Sequence, residues 1–143
     1  MGRPAVTPEQ VALVQRSFSE LGPRTRDLAA RFYEILFEVD PSLRSMFSAD
    51  PLDQESLFRS ELAMIVRSIP QFEAFVARTR RLGKRHAEYG VTYAQYEIAG
   101  RALLSALEDT LGSGFTEEMR DAWRLGFDLM AETMMQGAAE VAP

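Results

Sequence analysis

One imidazole is all that this chain offers a soft metal. His86 is the only histidine, and there is no cysteine. It follows the cations Arg78, Arg80, Arg81, Lys84 and Arg85 and precedes Glu88, Tyr89, Gly90 and Val91. A zinc site needs four ligands, usually three or more of them protein side chains, so His86 cannot build one. A single axial imidazole does suffice for an iron whose equatorial ligands come from a porphyrin. Otherwise a lone histidine is a surface residue, or a core residue with its ring nitrogens hydrogen-bonded. The elements that carry it must decide.

Almost every segment has helical period. Thr7-Pro8-Glu9-Gln10 reads as a capping box with proline in the first turn. It opens a helix with Val11, Val14, Phe18 and Leu21 on one face, closed by Gly22-Pro23. A second helix carries Leu28, Phe32, Ile35 and Leu36 and ends near Asp40-Pro41, and Ser42 to Ala49 reads as irregular. Asp50-Pro51 starts a third helix with Gln54, Leu57, Phe58, Leu62, Ile65, Val66 and Ile69 inward, and Pro70 near its end. Phe72, Phe75, Val76, Leu82 and His86 mark a fourth, broken by Gly83 and stopped by Gly90. Thr92-Tyr93-Ala94-Gln95 is a second capping box, leading into Tyr96, Ala99, Leu103, Leu107 and Leu111 before Gly112-Ser113-Gly114. A last helix from Thr116 carries Met119, Trp123, Phe127, Met130 and Met134. No segment alternates as a strand does. The expected fold class is all-α.

Composition removes several functions. A length of 143 residues suits one domain, with no linker or repeat in it. The absence of cysteine excludes disulfides, thiol catalysis and iron–sulfur clusters. A net charge of -5 argues against nucleic acid as a partner, because that affinity comes from cations neutralising phosphates. No apolar run approaches the roughly 18 residues of a membrane span. Met1 to Val6 lacks the apolar stretch of a signal peptide, so the cytoplasm is the expected location. Gly112-Ser113-Gly114 lacks the lysine and the strand–helix setting of a phosphate loop. Glu117-Glu118 and Asp53 with Glu55 read as charges favoured at helix starts rather than acid–base pairs.

The order of particular segments is more specific. Phe32-Tyr33-Glu34-Ile35-Leu36-Phe37, Asp40-Pro41-Ser42-Leu43-Arg44-Ser45-Met46-Phe47, His86 with Gly90-Val91, Gln95-Tyr96, and Asp121-Ala122-Trp123 fall in one order with compatible spacings. In this the chain resembles a globin, and most of all the bacterial single-domain haemoglobins and the haem domain of flavohaemoglobins. The resemblance runs from about residue 7 to 137. It implies a single globin domain over residues 1–143, with six to eight helices sandwiching one haem b.

Carried over by position, the resemblance makes His86 the proximal ligand of the haem iron and Phe47 the phenylalanine that wedges the haem. Tyr33 would direct its hydroxyl into the distal pocket. Gln54 would occupy the distal position of the next helix, with Phe58 as the rival in a register one turn away. The plainer readings are a core tyrosine bonded to a backbone carbonyl for Tyr33 and a solvated residue for Gln54. Val91 and Tyr96 would lie on the proximal side. In flavohaemoglobins a tyrosine matching Tyr96 joins the proximal histidine to a carboxylate of the last helix. Here that position is Ala138, and Glu140, two residues on, faces elsewhere. At Leu57 relatives often carry a cation that holds a haem propionate, so Arg85 or Lys84 would have to substitute. The basic run itself is a solvated face, a propionate contact or a docking surface.

The function implied is reversible binding of O2, and of CO and NO, at a pentacoordinate or weakly hexacoordinate iron, as a carrier or gas handler. The alternative is a nitric oxide dioxygenase served by a separate flavin reductase. The chain would be a monomer or a homodimer.

Overall fold

The computed structural model describes residues 6–47 and 50–141, and among these it is all-helical with no strand. Six α-helices follow in order: α1 (Pro8–Leu21), α2 (Thr25–Val39), α3 (Pro51–Ser68), α4 (Phe72–Glu88), α5 (Tyr93–Leu111) and α6 (Glu117–Val141). Local chemistry sets their starts. The Gln10 backbone N–H donates to Thr7 Oγ1 at 3.1 Å while Thr7 N–H donates to Gln10 Oε1 at 2.9 Å. The same reciprocal pair forms between Thr92 and Gln95 at the head of α5. The Asp50 carboxylate accepts the Leu52 N–H at 3.0 Å and so caps α3. Thr116 Oγ1 accepts from Met119 N–H at 3.2 Å ahead of α6.

Three details differ from the sequence reading. Gly83 does not break α4, which runs unbroken through it, because a glycine costs a helix only about 1 kcal/mol and packing recovers that here. Residues 41–46 form a 3-10 helix rather than an irregular stretch, since the Asp40 carboxylate accepts Ser42 N–H at 3.1 Å and starts the turn. Ser48 and Ala49 lie outside the described residues. Ser17, a polar residue three after Val14 and four before Leu21, is fully buried on α1. Its hydroxyl donates to the Leu13 carbonyl at 2.7 Å and accepts the Trp123 indole N–H at 2.8 Å. Ser17→Ala should therefore destabilise the fold by about 1–3 kcal/mol, because the indole loses its acceptor inside the core. A urea midpoint followed by tryptophan fluorescence measures it.

The main core gathers Leu28, Phe32, Tyr33 and Leu36 of α2, Leu62 and Val66 of α3, Leu103 and Leu107 of α5, and Trp123 of α6. A second cluster of Tyr96, Ala131 and Met134 takes in Leu82 and Val91. Among the described residues no helix is long and apolar enough to cross a membrane.

The pair with the most extensive contact is α4 with α6. Its backbones approach without side chains between them. A Cβ added at Gly83 would lie 2.5 Å from the Met134 carbonyl carbon, and one at Gly137 would lie 2.8 Å from that of Arg80. Beside this crossing the Thr79 and Thr133 hydroxyls meet at 2.5 Å, both buried. Two protons serve three contacts: one hydroxyl donates to the other, and the second donates to a carbonyl of its own helix, Phe75 for Thr79 or Met130 for Thr133. The helix that carries His86 is thus seated directly on the backbone of α6.

Candidate haem site

α2 and α3 build one half of the site. Tyr33 is buried on α2, and its ring meets Phe47 edge-on at 5.3 Å and Phe58 at 5.6 Å between centroids. Phe58 stacks on Phe32 at 4.4 Å, and Phe47 packs edge-on against Phe37 at 5.5 Å. Such pairings add to the burial of each ring, so this is a stiff apolar wall. One polar contact crosses it. The Gln54 amide N–H donates to the Tyr33 hydroxyl oxygen at 3.2 Å. That bond uses an oxygen lone pair and leaves the phenolic proton available to another acceptor.

Burial pushes the Tyr33 phenol up to about 12, with the Gln54 bond opposing and the nearby Glu55 charge adding to the rise. The hydroxyl is accordingly a neutral donor across the physiological range. The linkage follows from the sign. A phenol raised from 10 to about 12 on folding stabilises the fold fully below pH 10 and loses that contribution as pH rises toward about 12. Subtracting the alkaline absorbance titration of Tyr33→Phe from that of the parent should isolate a transition near 12. A difference transition near 10 would mean that the phenol is not held in the wall.

α4 and α5 build the other half. His86 is partly buried, and its Nδ1 pairs with the Leu82 carbonyl at 2.9 Å. That contact assigns the ring proton to Nδ1 and leaves Nε2, with no partner among the described residues, presenting its lone pair. Burial lowers the His86 pKa, the Leu82 bond opposes, and the Arg85 charge lowers it further, so the ring favours its neutral form. The His86 carbonyl accepts from Val91 N–H at 3.2 Å. This turn needs Gly90 at φ 80°, a conformation that side chains rarely adopt. Tyr96 lies beside the imidazole, with ring centroids 6.3 Å apart at 26°. Its hydroxyl is buried without a hydrogen-bond partner among the described residues. Glu140 pairs instead with Arg80 and, at 2.9 Å, with Lys84.

Of the sequence-derived residues, Tyr33, Phe47, Gln54 and Phe58 come together, and so do His86, Val91 and Tyr96. Leu57 and Arg85 join neither group. Leu57 is 64% exposed on α3, and Arg85 extends along the surface, where its nearest carboxylate is Glu61 at 3.8 Å. Glu61 also takes Arg78 at 3.1 Å, and so ties α3 to α4. Sequence reasoning missed Glu61, because the tie spans 17 residues and two helices with no periodic signal. Ser17, Gly137 and the Thr79–Thr133 contact escaped it for the same reason.

The donor set suits a haem. A neutral imidazole with Nδ1 committed to a backbone carbonyl is the form that ligates iron, since the second bond sets the tautomer and the ring orientation. Among the described residues no three acidic, histidine or cysteine side chains gather into a site for a bare metal ion.

The chain matches the globin family over residues 30–134. It is 29% identical over 139 residues to an anaerobic nitrite reductase of Oryza sativa subsp. indica, covering 93% of this chain and 96% of that protein. It superposes with a TM-score of 0.85, at 29% identity and 96% coverage of each chain, on an engineered carbene transferase built on a Rhodothermus marinus protein assigned as a nitric oxide dioxygenase. A bacterial globin from Campylobacter jejuni has the same fold, with a TM-score of 0.83 at 22% identity over 94% of this chain and 98% of its own. With a family match over most of its length, this helical chain belongs to the globin family.

Proposed function

We propose that this chain is a haem globin of the single-domain bacterial type that reversibly binds O2, and also CO and NO, with haem b held between the two halves of the site. His86 would hold the iron through Nε2. The observation that carries this reading is the hydrogen bond from Gln54 to Tyr33, which orients a phenol inside an aromatic wall while leaving its proton unused. When bound, a haem would supply a ferrous iron able to take up a diatomic gas.

The protein's own residues do the rest. Leu82 holds the imidazole ring, and the seat of α4 on α6 holds the helix. Phe47 and Phe58 exclude water from around Tyr33. In that dry setting a donor directed at a negatively polarised guest is worth more than in water. Tyr33→Phe removes the donor and should speed O2 release about tenfold, one lost bond being roughly 1.4 kcal/mol. Gln54→Leu should speed it as well, by unsettling the phenol. Flash photolysis or stopped-flow release reads both. An unchanged rate in Gln54→Leu would favour Phe58 as the distal residue.

The second reading is a nitric oxide dioxygenase supplied with electrons by a separate flavin reductase. The likeness to the Rhodothermus marinus protein favours it. The proximal side favours the first reading. Among the described residues no carboxylate meets the Tyr96 hydroxyl, and Glu140 is engaged by cations of α4, so nothing there makes the imidazole more basic for oxidative chemistry. The rice relative's name adds nitrite as a substrate to test. The deciding experiment is the absorption spectrum of the hemin-loaded protein, reduced and then exposed to CO. A sharp Soret shift at one haem per chain supports gas binding, and no stable complex overturns it. NO turnover with a reductase no faster than a myoglobin control removes the dioxygenase.

A further inference from the structure

The outer face of α4 bears a shallow, open concavity of about 490 Å3 lined by Arg78, Arg81, Lys84 and Arg85. Four cations line it in a chain whose net charge is -5, so the positive potential is local rather than general. A concave surface with one sign of charge concentrates ions of the other sign.

Among the described residues two carboxylates answer these cations. Glu61 takes Arg78 at 3.1 Å and Arg85, loosely, at 3.8 Å. Glu140 takes Lys84 at 2.9 Å and is shared with Arg80. Arg81 is exposed and forms no ion pair among the described residues. The rim is therefore under-neutralised, and three of its four cations are guanidinium groups, whose planar forks match phosphate oxygens.

We infer that this concavity binds a small diphosphate-bearing anion, with Arg81 as its principal contact and Glu61 as the internal carboxylate it displaces from Arg78 and Arg85. Two linked phosphates suit a site with several fixed cations better than a single monoanion does. The ligand would meet α4 on its outer face, beside the stripe that carries His86.

The test is isothermal titration of inorganic pyrophosphate into the hemin-loaded protein at low ionic strength. We expect one site per chain, weakened by about fivefold or more in Arg81→Gln, a size typical of losing one exposed charge contact. Glu61→Gln should act in the opposite direction and tighten binding several-fold, because the competing carboxylate is gone. Arg26→Gln makes the same change of charge on α2, where that arginine is exposed and does not line the concavity, and should leave the affinity almost unchanged. Equal weakening by Arg81→Gln and Arg26→Gln would overturn the site, since binding would then follow net charge alone. Unchanged or weaker binding in Glu61→Gln would also overturn it. So would binding to the haem-free chain only, which would assign these cations to the carboxylates of the cofactor.

Discussion

His86→Ala should remove axial ligation, and with it stable haem retention, while leaving the helical fold in place. His86 is the only imidazole in a chain without cysteine, and its Nε2 is the one imidazole nitrogen left open once Nδ1 has bonded the Leu82 carbonyl. The neighbours are poor replacements: burial pushes the Tyr96 phenol up and so disfavours the phenolate that would ligate iron, and Arg85 is a cation that repels a metal. Hemin titration of the variant should show no sharp Soret band and no CO shift, whereas far-ultraviolet circular dichroism should be unchanged. Free imidazole should restore part of the band by entering the space left behind. A variant with an unaltered Soret band and CO shift would remove His86 from the site and leave only the fold assignment standing.

Two glycines of α6 should respond to alanine with opposite signs. At Gly137 a new Cβ collides with the backbone of α4 at Arg80, and backbone cannot swing aside as a flexible side-chain tip can. The helices must part, disturbing the Thr79–Thr133 contact and the Gly83–Met134 approach together. Overpacking of this kind costs about 1–3 kcal/mol or more, against which alanine returns about 1 kcal/mol of helix propensity. A net loss near 2 kcal/mol would lower Tm by roughly 5–10 °C in a chain of this size. At Gly126 a Cβ meets nothing within 4 Å, so Gly126→Ala should gain up to about 1 kcal/mol. Thermal melts of the two variants check the pair. A rise in Tm for Gly137→Ala would mean that α4 is not seated on α6 as described. Because α4 carries His86, Gly137→Ala should also alter the iron–histidine stretching frequency of the haem-loaded protein, which a loss of stability alone would not do.

Much of the fold was legible because helices announce themselves locally. Capping boxes at Thr7 and Thr92 satisfy amide groups within four residues, and the apolar positions of α1, α2 and α5 recur at helical spacing. Gly83 misled because its purpose is not local. It looks like a helix breaker until α6 is laid against it, and then it is the contact that lets two backbones meet. The 3-10 turn at 41–46 was missed because its start depends on one Asp40 side-chain bond rather than on any period.

The candidate site divides along the same line. Residue types and spacing alone determined an all-helical chain with one imidazole, a tyrosine on the second helix, a glutamine at the start of the third and aromatics around them. Those are properties of chemistry and of a 3.6-residue repeat, both written along the chain. Only the tertiary structure decided that Gln54 donates to Tyr33 across 21 residues, that Tyr96 keeps a buried hydroxyl without a partner among the described residues, that Leu57 points to solvent, and that Glu61 joins α3 to α4. Each of these depends on how separate helices cross, and a crossing is set by packing volumes summed over many side chains, which no local stretch of sequence contains.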